Sequence, residues 1–437
     1  TNYEEFKYTL ESNILVNLED KKGEITTRDY YIRIYENDEL IKEERYEEID
    51  ENHQVVNQIK TYLVKENTKY KVELIIKIGE REYILDTQEF ETEEEKEIKG
   101  IRNKEEFLEI QPRGNYIVLE DIELTGMSIT YIRFGNSNLP FEGQIDFNGK
   151  SLTRDSKNTI YRIFDQIGKN GVIENLVFNV KLNNDVEIGG FTGLIYINYG
   201  IIRNIQVNLM ESTNVPNVDL ALLVYNNYGL LENFLIHSQV PLYGSRRLTM
   251  GVLHNYGTIQ NGYLYGENIK AIYDAPVQNR DTGGLNYMNR GTIQNVYSLI
   301  NIDLAGKVSQ ENVANVAATI DSSSSVVNNV YSVGIGENVE KRLDLGPTVG
   351  LVSGTTKINN VYYFADTTFE NPYNQKTTML ALRDKVFQSQ ILNGDDAFEV
   401  DELVENGYYP QIKMPDCMPA QEYIPLPEIE DDDLPDI

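Results

Sequence analysis

The sequence predicts an all-β protein: an N-terminal β-sandwich followed by a right-handed parallel β-helix with short capping helices. Three observations predict it. The motif Gly-x-Ile-x-Asn followed by an apolar residue returns along the chain. Its copies carry apolar runs of about strand length. The first hundred residues instead alternate polar and apolar side chains with a period of two.

The clean copies are Gly171-Val-Ile-Glu-Asn175, Gly200-Ile-Ile-Arg-Asn204, Gly229-Leu-Leu-Glu-Asn233, Gly257-Thr-Ile-Gln-Asn261 and Gly291-Thr-Ile-Gln-Asn295. Two degenerate copies, Val327-Asn-Asn329 and Ile358-Asn-Asn360, close the series. Successive asparagines lie 29, 29, 28, 34, 34 and 31 residues apart, the period of a solenoid whose units bury their apolar faces only by stacking. No 3.6-residue periodicity long enough for paired helices is present, so residues 98–365 are expected to form a parallel β-helix of seven repeats.

Asn175, Asn204, Asn233, Asn261, Asn295, Asn329 and Asn360 are therefore expected to occupy one turn of successive coils. There their amides can bond to one another, and Asn tolerates the left-handed conformation. Gly200, Gly229, Gly257 and Gly291 are expected to supply further positive φ angles. Asn-Tyr-Gly at Asn198, Asn227 and Asn255 places Tyr199, Tyr228 and Tyr256 in a stack on one rod face, a candidate contact face. A sugar platform is the alternative reading of that stack.

Residues 1–97 read as a fibronectin- or immunoglobulin-like sandwich. Phe6-Tyr8-Leu10, Tyr30-Ile32-Ile34, Val72-Leu74-Ile76-Ile78 and Tyr83-Leu85 alternate as half-buried strands, and Gly79-Glu80 reads as a hairpin turn. The charged run from Glu91 to Lys99 is expected to be a solvated linker. Asn103, with Glu106 three residues later, predicts the cap of a short helix covering the first coil. In residues 366–437, Thr378–Leu392 predicts an amphipathic helix, with Leu382 and Val386 inward, that caps the far end. Pro410, Pro415, Pro419, Pro425, Pro427 and the acidic Glu430–Asp433 predict an extended linker.

The 437 residues carry a formal charge of −30. Residues 1–99 hold 15 basic and 27 acidic side chains, residues 100–365 hold 20 and 25, and residues 366–437 hold 4 and 17. Such ends repel phosphates, so neither nucleic acid nor an anionic membrane is expected as a partner. No apolar run is long enough to span a bilayer. The single cysteine, Cys417, permits no internal disulfide, and the chain's start at Thr1 reads as an excised fragment. The three histidines, His53, His237 and His254, belong to no zinc-protease motif, and no nucleophile elbow or phosphate loop occurs. Asp146, Asp165, Asp274 and Asp281 could serve a β-helix glycosidase or lyase, but they are scattered. No catalytic residue, metal ligand or cofactor is expected in this chain.

Phe107-Leu-Glu-Ile-Gln-Pro-Arg-Gly-Asn-Tyr-Ile-Val-Leu-Glu-Asp-Ile-Glu-Leu-Thr125 and Phe141-Glu-Gly-Gln-Ile-Asp-Phe-Asn-Gly149 resemble the start of the non-catalytic region of streptococcal immunoglobulin A proteases. Gly189-Gly-Phe-Thr-Gly-Leu194 and Gly283-Gly-Leu285 resemble the Gly-Leu-rich repeats of that zinc metalloprotease family. Tyr408–Pro415 and Met418–Pro427 resemble the segment leading to its protease domain. The family's His-Glu-x-x-His is missing, so zinc is expected only in a protease domain outside this chain. The resemblance implies a secreted or wall-attached Gram-positive protein. The chain would scaffold its own protease domain and help hold host immunoglobulin A or a similar glycoprotein, as a monomer. An adhesin-type solenoid binding a host protein is the other reading.

Overall fold

The computed structural model describes residues 8–15, 30–45, 57–64, 68–91, 98–124, 134–155, 162–182, 191–212, 219–244, 247–272, 281–305, 312–334, 346–354, 356–365, 371–378, 381–382, 384, 387, 397–399 and 409–418. The chain forms two compact units, Thr1–Glu97 and Ile98–Ile437.

The first unit is antiparallel. Glu39–Arg45, Tyr30–Glu36, Lys69–Ile78 and Arg81–Glu91 make a four-stranded sheet in that spatial order, and Tyr8–Leu15 pairs separately with Asn57–Val64. Its hairpin turns use residues that tolerate positive φ: Asn37 and Asp38 at 48° and 68°, and Gly79 at 62°. Ile32, Ile34, Tyr70 and Ile76 are buried on the sheet. Of the expected linker, residues 92–97 lie outside the described residues. Its flanks are ordered strand, since Glu91 ends one strand and Ile98–Ile101 begins another.

The second unit is a parallel β-solenoid of about six turns. Its longest sheet runs through Ile98–Ile101, Asn115–Val118, Gln144–Asp146, Val172–Lys181, Ile201–Glu211, Leu230–Ser238, Thr258–Gly266, Thr292–Leu299, Val326–Val333, Lys357–Phe364 and Gln375–Lys376. A second sheet stacks Phe164–Ile167, Ile195–Asn198, Val224–Asn227, Val252–Asn255, Asn286–Asn289, Ala317–Asp321 and Val349–Ser353. Two shorter stacks complete the coils. The register repeats without slippage at the corner: Ile202, Leu231, Ile259, Ile293 and Val327 pair in succession and are all fully buried. One coil therefore buries its apolar side chains on the same side chains of the next.

All seven motif asparagines have φ between 51° and 57°. Each bends a strand at the same place, and the pairing skips it: Arg203 pairs Glu232 and Ile205 pairs Phe234 on either side of Asn204 and Asn233. The glycines before them differ from expectation. Gly200, Gly229, Gly257 and Gly291 are not in the left-handed region. Glycine is required there for space, because a Cβ on Gly229 would lie 2.1 Å from the carbonyl oxygen of Gly200, and one on Gly257 would lie 2.1 Å from that of Gly229.

The first coil carries the short helix Lys104–Leu108. Asn103 Oδ1 accepts from the Glu106 amide at 2.9 Å, and the Glu106 carboxylate reaches back to the Arg102 amide at 2.6 Å. This reciprocal cap fixes the turn that drops Phe107 into the core against Phe134 and Phe147.

Beyond the last coil the chain turns back along the rod. Leu382, Phe387, Phe398, Tyr409, Ile412 and Met418 pack on Leu235, Tyr263, Tyr297, Tyr331 and Tyr362, which project from the outer face of the longest sheet. Phe398–Glu399 pairs antiparallel with Gln411–Ile412, and Tyr331 Oη donates to the Pro410 carbonyl. The expected end-capping helix falls mostly outside the described residues. Its Leu382 belongs to this lateral strap, and the proline-containing stretch through Met418 lies on the rod. Proline removes backbone donors, which suits a segment bound mainly by side chains.

Candidate functional site: the aromatic corner of the solenoid

Two amide ladders run along the solenoid, one at the left-handed bend within the longest sheet and one at the end of the second sheet. In the first, Asn204 Nδ2 donates to Asn175 Oδ1 at 2.9 Å, Asn233 to Asn204 at 3.1 Å and Asn261 to Asn233 at 3.5 Å. Asn295, Asn329 and Asn360 continue it at 3.1, 3.1 and 2.8 Å. Asp146 ends the series by accepting from Asn175 at 2.9 Å.

The second ladder is inside. Asn198 donates to Asn227 at 2.8 Å, Asn227 to Asn255 at 2.9 Å and Asn255 to Asn289 at 2.8 Å, with all four side chains fully buried. Asn198 also accepts from the Gly200 amide, so it ties the corner to itself as well as to the next coil. In the sequence these asparagines mark the place of the tyrosines beside them. Their repetition at the inward position before each tight corner was the available signal.

This rigid frame sets the tyrosines. Each follows a buried asparagine and precedes a glycine with no room for a side chain, so it must project outward. Tyr199 and Tyr228 stack at 4.9 Å with a 15° interplanar angle, and Tyr228 and Tyr256 at 4.6 Å with 7°. The Arg290 guanidinium lies 5.7 Å from the Tyr256 ring and pairs with Asp321 at 2.6 Å, and Asp321 also accepts from Ser353. Tyr199 and Tyr228 keep 38% and 43% of their surface, so the column faces solvent. Partial burial, then the neighbouring hydroxyls of Tyr256 and Tyr199, push the Tyr228 pKa up, so it stays protonated.

A second aromatic row lies on the adjoining sheet. Tyr196 and Tyr225 approach at 5.1 Å, and His254 sits edge-on between Tyr225 and Tyr287 at 5.4 and 5.5 Å. The Arg162 guanidinium covers Tyr196 at 4.1 Å, and Arg247 covers Tyr287 at 5.0 Å. Burial, with Arg247 and Arg290 nearby, lowers the His254 pKa to about 4. Its Nδ1 contacts Asn226 Oδ1 at 3.0 Å.

The stacking geometry decides what this surface offers. Sugar rings stack on exposed aromatic faces, and here the faces of Tyr228 meet neighbouring tyrosines while those of Tyr196, Tyr256 and Tyr287 meet other rings or guanidinium groups. Ring edges, hydroxyl groups and the outer face of the end ring, Tyr199, remain for a partner.

The other sequence candidates are separate. Asp146 ends the asparagine ladder, Asp165 pairs with Arg162, and Asp281 accepts from the Asn312 amide. Asp274 and His53 lie outside the described residues. His237 stacks on Tyr265 at 4.2 Å, whereas His254 sits between Tyr225 and Tyr287. Cys417 is exposed at the end of the strap. Among the described residues, no three His, Cys, Asp or Glu side chains converge as a metal site would need, and no described helix is long and apolar enough to cross a membrane.

No family model matches this chain, and no curated protein matches it. A solved structure of an IgA1 protease aligns with 90% of this chain at 12% identity and a TM-score of 0.40. The chain spans 32% of that protein's length.

Proposed function

We propose that this chain is the non-catalytic scaffold and substrate-docking region of a secreted or cell-surface bacterial zinc metalloprotease that cleaves host immunoglobulin A or a similar glycoprotein. Three segments in family order support the family. The open tyrosine corner carries the docking role. The column Tyr263, Tyr297, Tyr331 and Tyr362 is covered by the chain's own strap, while Tyr199, Tyr228 and Tyr256 face solvent on a fixed frame. Tyrosine is enriched at protein interfaces, and ring edges with hydroxyls suit polypeptide more than sugar.

The test combines this chain with a separately produced protease domain. Cleavage of whole immunoglobulin A should rise on addition of the chain and fall again with Tyr199→Ser, Tyr228→Ser and Tyr256→Ser combined. Cleavage of a short hinge peptide should not change with the substitutions. A protease domain that cleaves the whole substrate equally well alone would overturn the docking role. Direct binding of a host protein by the chain in that case would identify an adhesin-type solenoid instead.

A further inference from the structure

The first unit carries a long strand edge that no other described strand covers. Arg81–Glu91 is the outermost strand of its sheet and pairs only with Lys69–Ile78. It runs for 11 residues, and every side chain except Phe90 is exposed. Tyr83, Ile84 and Leu85 keep 45%, 59% and 49% of their surface, so apolar groups project from both faces. The unpaired amides and carbonyls of such an edge are a template for another strand, and edges that must stay empty are usually kept short or blocked by proline or lysine. This edge has neither residue; its protections are a bulge at Leu85 and five charged side chains, which a partner strand has to match.

Charge selects the occupant. The strand bears Glu82, Asp86, Glu89 and Glu91 against a single Arg81. Glu82 is neutralised by Arg33 and Lys77 at 2.9 and 3.1 Å, whereas Glu89 and Glu91 hold no ion pair among the described residues. Beside them lies a cavity of about 270 Å³, floored by Tyr70 and Phe90 and rimmed by Asp38, Glu89 and Glu91. The two floor rings stack at 5.6 Å. Lys69 and Lys71 also reach its rim, opposite Glu91 and Glu89 in the strand register; Lys71 is held by Glu73 at 3.1 Å over the Tyr35 ring, which leaves the Lys69 ammonium against the three carboxylates of Asp38, Glu89 and Glu91. An aromatic floor under a carboxylate rim fits an arginine or lysine side chain. A second copy of this unit is repelled, since residues 1–99 carry 27 acidic against 15 basic side chains.

We infer that Arg81–Glu91 is a docking edge for an extended basic segment of another protein, which adds to the sheet as a further strand and places one arginine or lysine in the cavity beside Phe90. Main-chain hydrogen bonds supply the affinity, and the cavity and carboxylates supply the selection. The inference is independent of the tyrosine corner.

The test uses the whole chain and a fluorescein-labelled peptide of 11 residues, matching the strand, that alternates valine and threonine with two arginines. Anisotropy should report saturable binding. N-methylation of alternate peptide amides in one parity should weaken it about tenfold or more, and methylation in the other parity should have little effect. Glu89→Lys combined with Glu91→Lys, checked for an unchanged melting curve, should weaken binding to a similar extent, as should glutamates in place of the peptide's arginines. Equal binding of both methylated peptides would reduce the contact to charge alone and overturn the inference. So would the absence of saturable binding up to about 1 mM, a Kd equivalent to only about 4 kcal/mol. A concentration-dependent dimer abolished by Ile84→Lys would assign the edge to a second copy, and would overturn it equally.

Discussion

Asn233 donates from Nδ2 to Oδ1 of Asn204 at 3.1 Å while its own backbone holds φ at 51°. One residue thus serves both as a left-handed corner and as a rung between coils. These contributions separate by substitution. Asn233→Gly keeps the conformation and loses the rung. Asn233→Ala loses both, with about 1–2 kcal/mol more for the left-handed strain. The rung alone is worth about 1–3 kcal/mol, because Asn204 Oδ1 and Asn261 Nδ2 each lose their Asn233 partner. Asn138→Ala, on an exposed loop, should cost under about 0.5 kcal/mol. Chemical denaturation of the three variants checks the order. Equal midpoints for Asn233→Ala and Asn138→Ala would remove the ladder's role.

The glycine at the corner should be less forgiving than the asparagine. A methyl group on Gly229 meets the Gly200 carbonyl at 2.1 Å, a backbone contact that no rotamer can relieve. Gly229→Ala should destabilise by at least the 1–3 kcal/mol typical of overpacking. Gly149, which has open space around its Cβ position, pays only for its left-handed φ of 72°. A thermal melt placing Gly229→Ala above Gly149→Ala would count against close approach as the reason for glycine.

His254 should make the solenoid sensitive to mild acid. Its folded pKa of about 4 lies below the value of about 6.5 expected when unfolded, so the unfolded chain binds the proton more readily. Its contribution is complete above about pH 6.5 and is lost as pH falls towards about 4. The slope of stability against pH across that window should flatten in His254→Gln. An unchanged slope would place the titration elsewhere.

The strap should release before the rod unfolds. Phe398 is fully buried against Tyr331 at 6.1 Å, so Phe398→Ala should weaken strap docking by about 3–5 kcal/mol. Hydrogen exchange should then accelerate at 409–418 while amides in Ile201–Glu211 stay protected. Loss of protection in both together would mean the strap is part of the folding core.

Proteolysis should separate the two units within 92–97. Five of those six residues are Thr or Glu, the sixth is Lys96, and none is apolar. Mild digestion with a glutamate-specific protease should give fragments breaking there before any cut inside the coils. First cuts between 171 and 364 would contradict this.

The repeat register was legible because each coil meets the same three demands in the same order: a tight corner, an inward aliphatic residue and a left-handed turn. Glycine's reason was not, since the letter reports permissiveness but not whether φ or space consumes it. The covered tyrosines were readable in principle. Tyr263, Tyr297, Tyr331 and Tyr362 each stand two positions after a ladder asparagine, where the earlier coils place Val177, Gln206 and Leu235. That change from mixed to aromatic marks where the strap begins. The strap itself was hidden because its prolines signal extended chain and say nothing of what it lies upon. At the candidate site, the tyrosine column followed from Asn-Tyr-Gly, but the buried ladder beneath it did not, because period alone cannot tell an inward from an outward asparagine.

A solenoid held only by nearest-neighbour contacts unzips one coil at a time from either end. The strap joins Leu235, Tyr263, Tyr297, Tyr331 and Tyr362 through one strip of chain, so five successive coils share a common fastening. Under a pulling force the two ends of the rod are then not equivalent. The coils before Leu230 can peel singly, whereas those after it stay fastened together until the strap is torn off, giving the rod a compliant end and a stiff one.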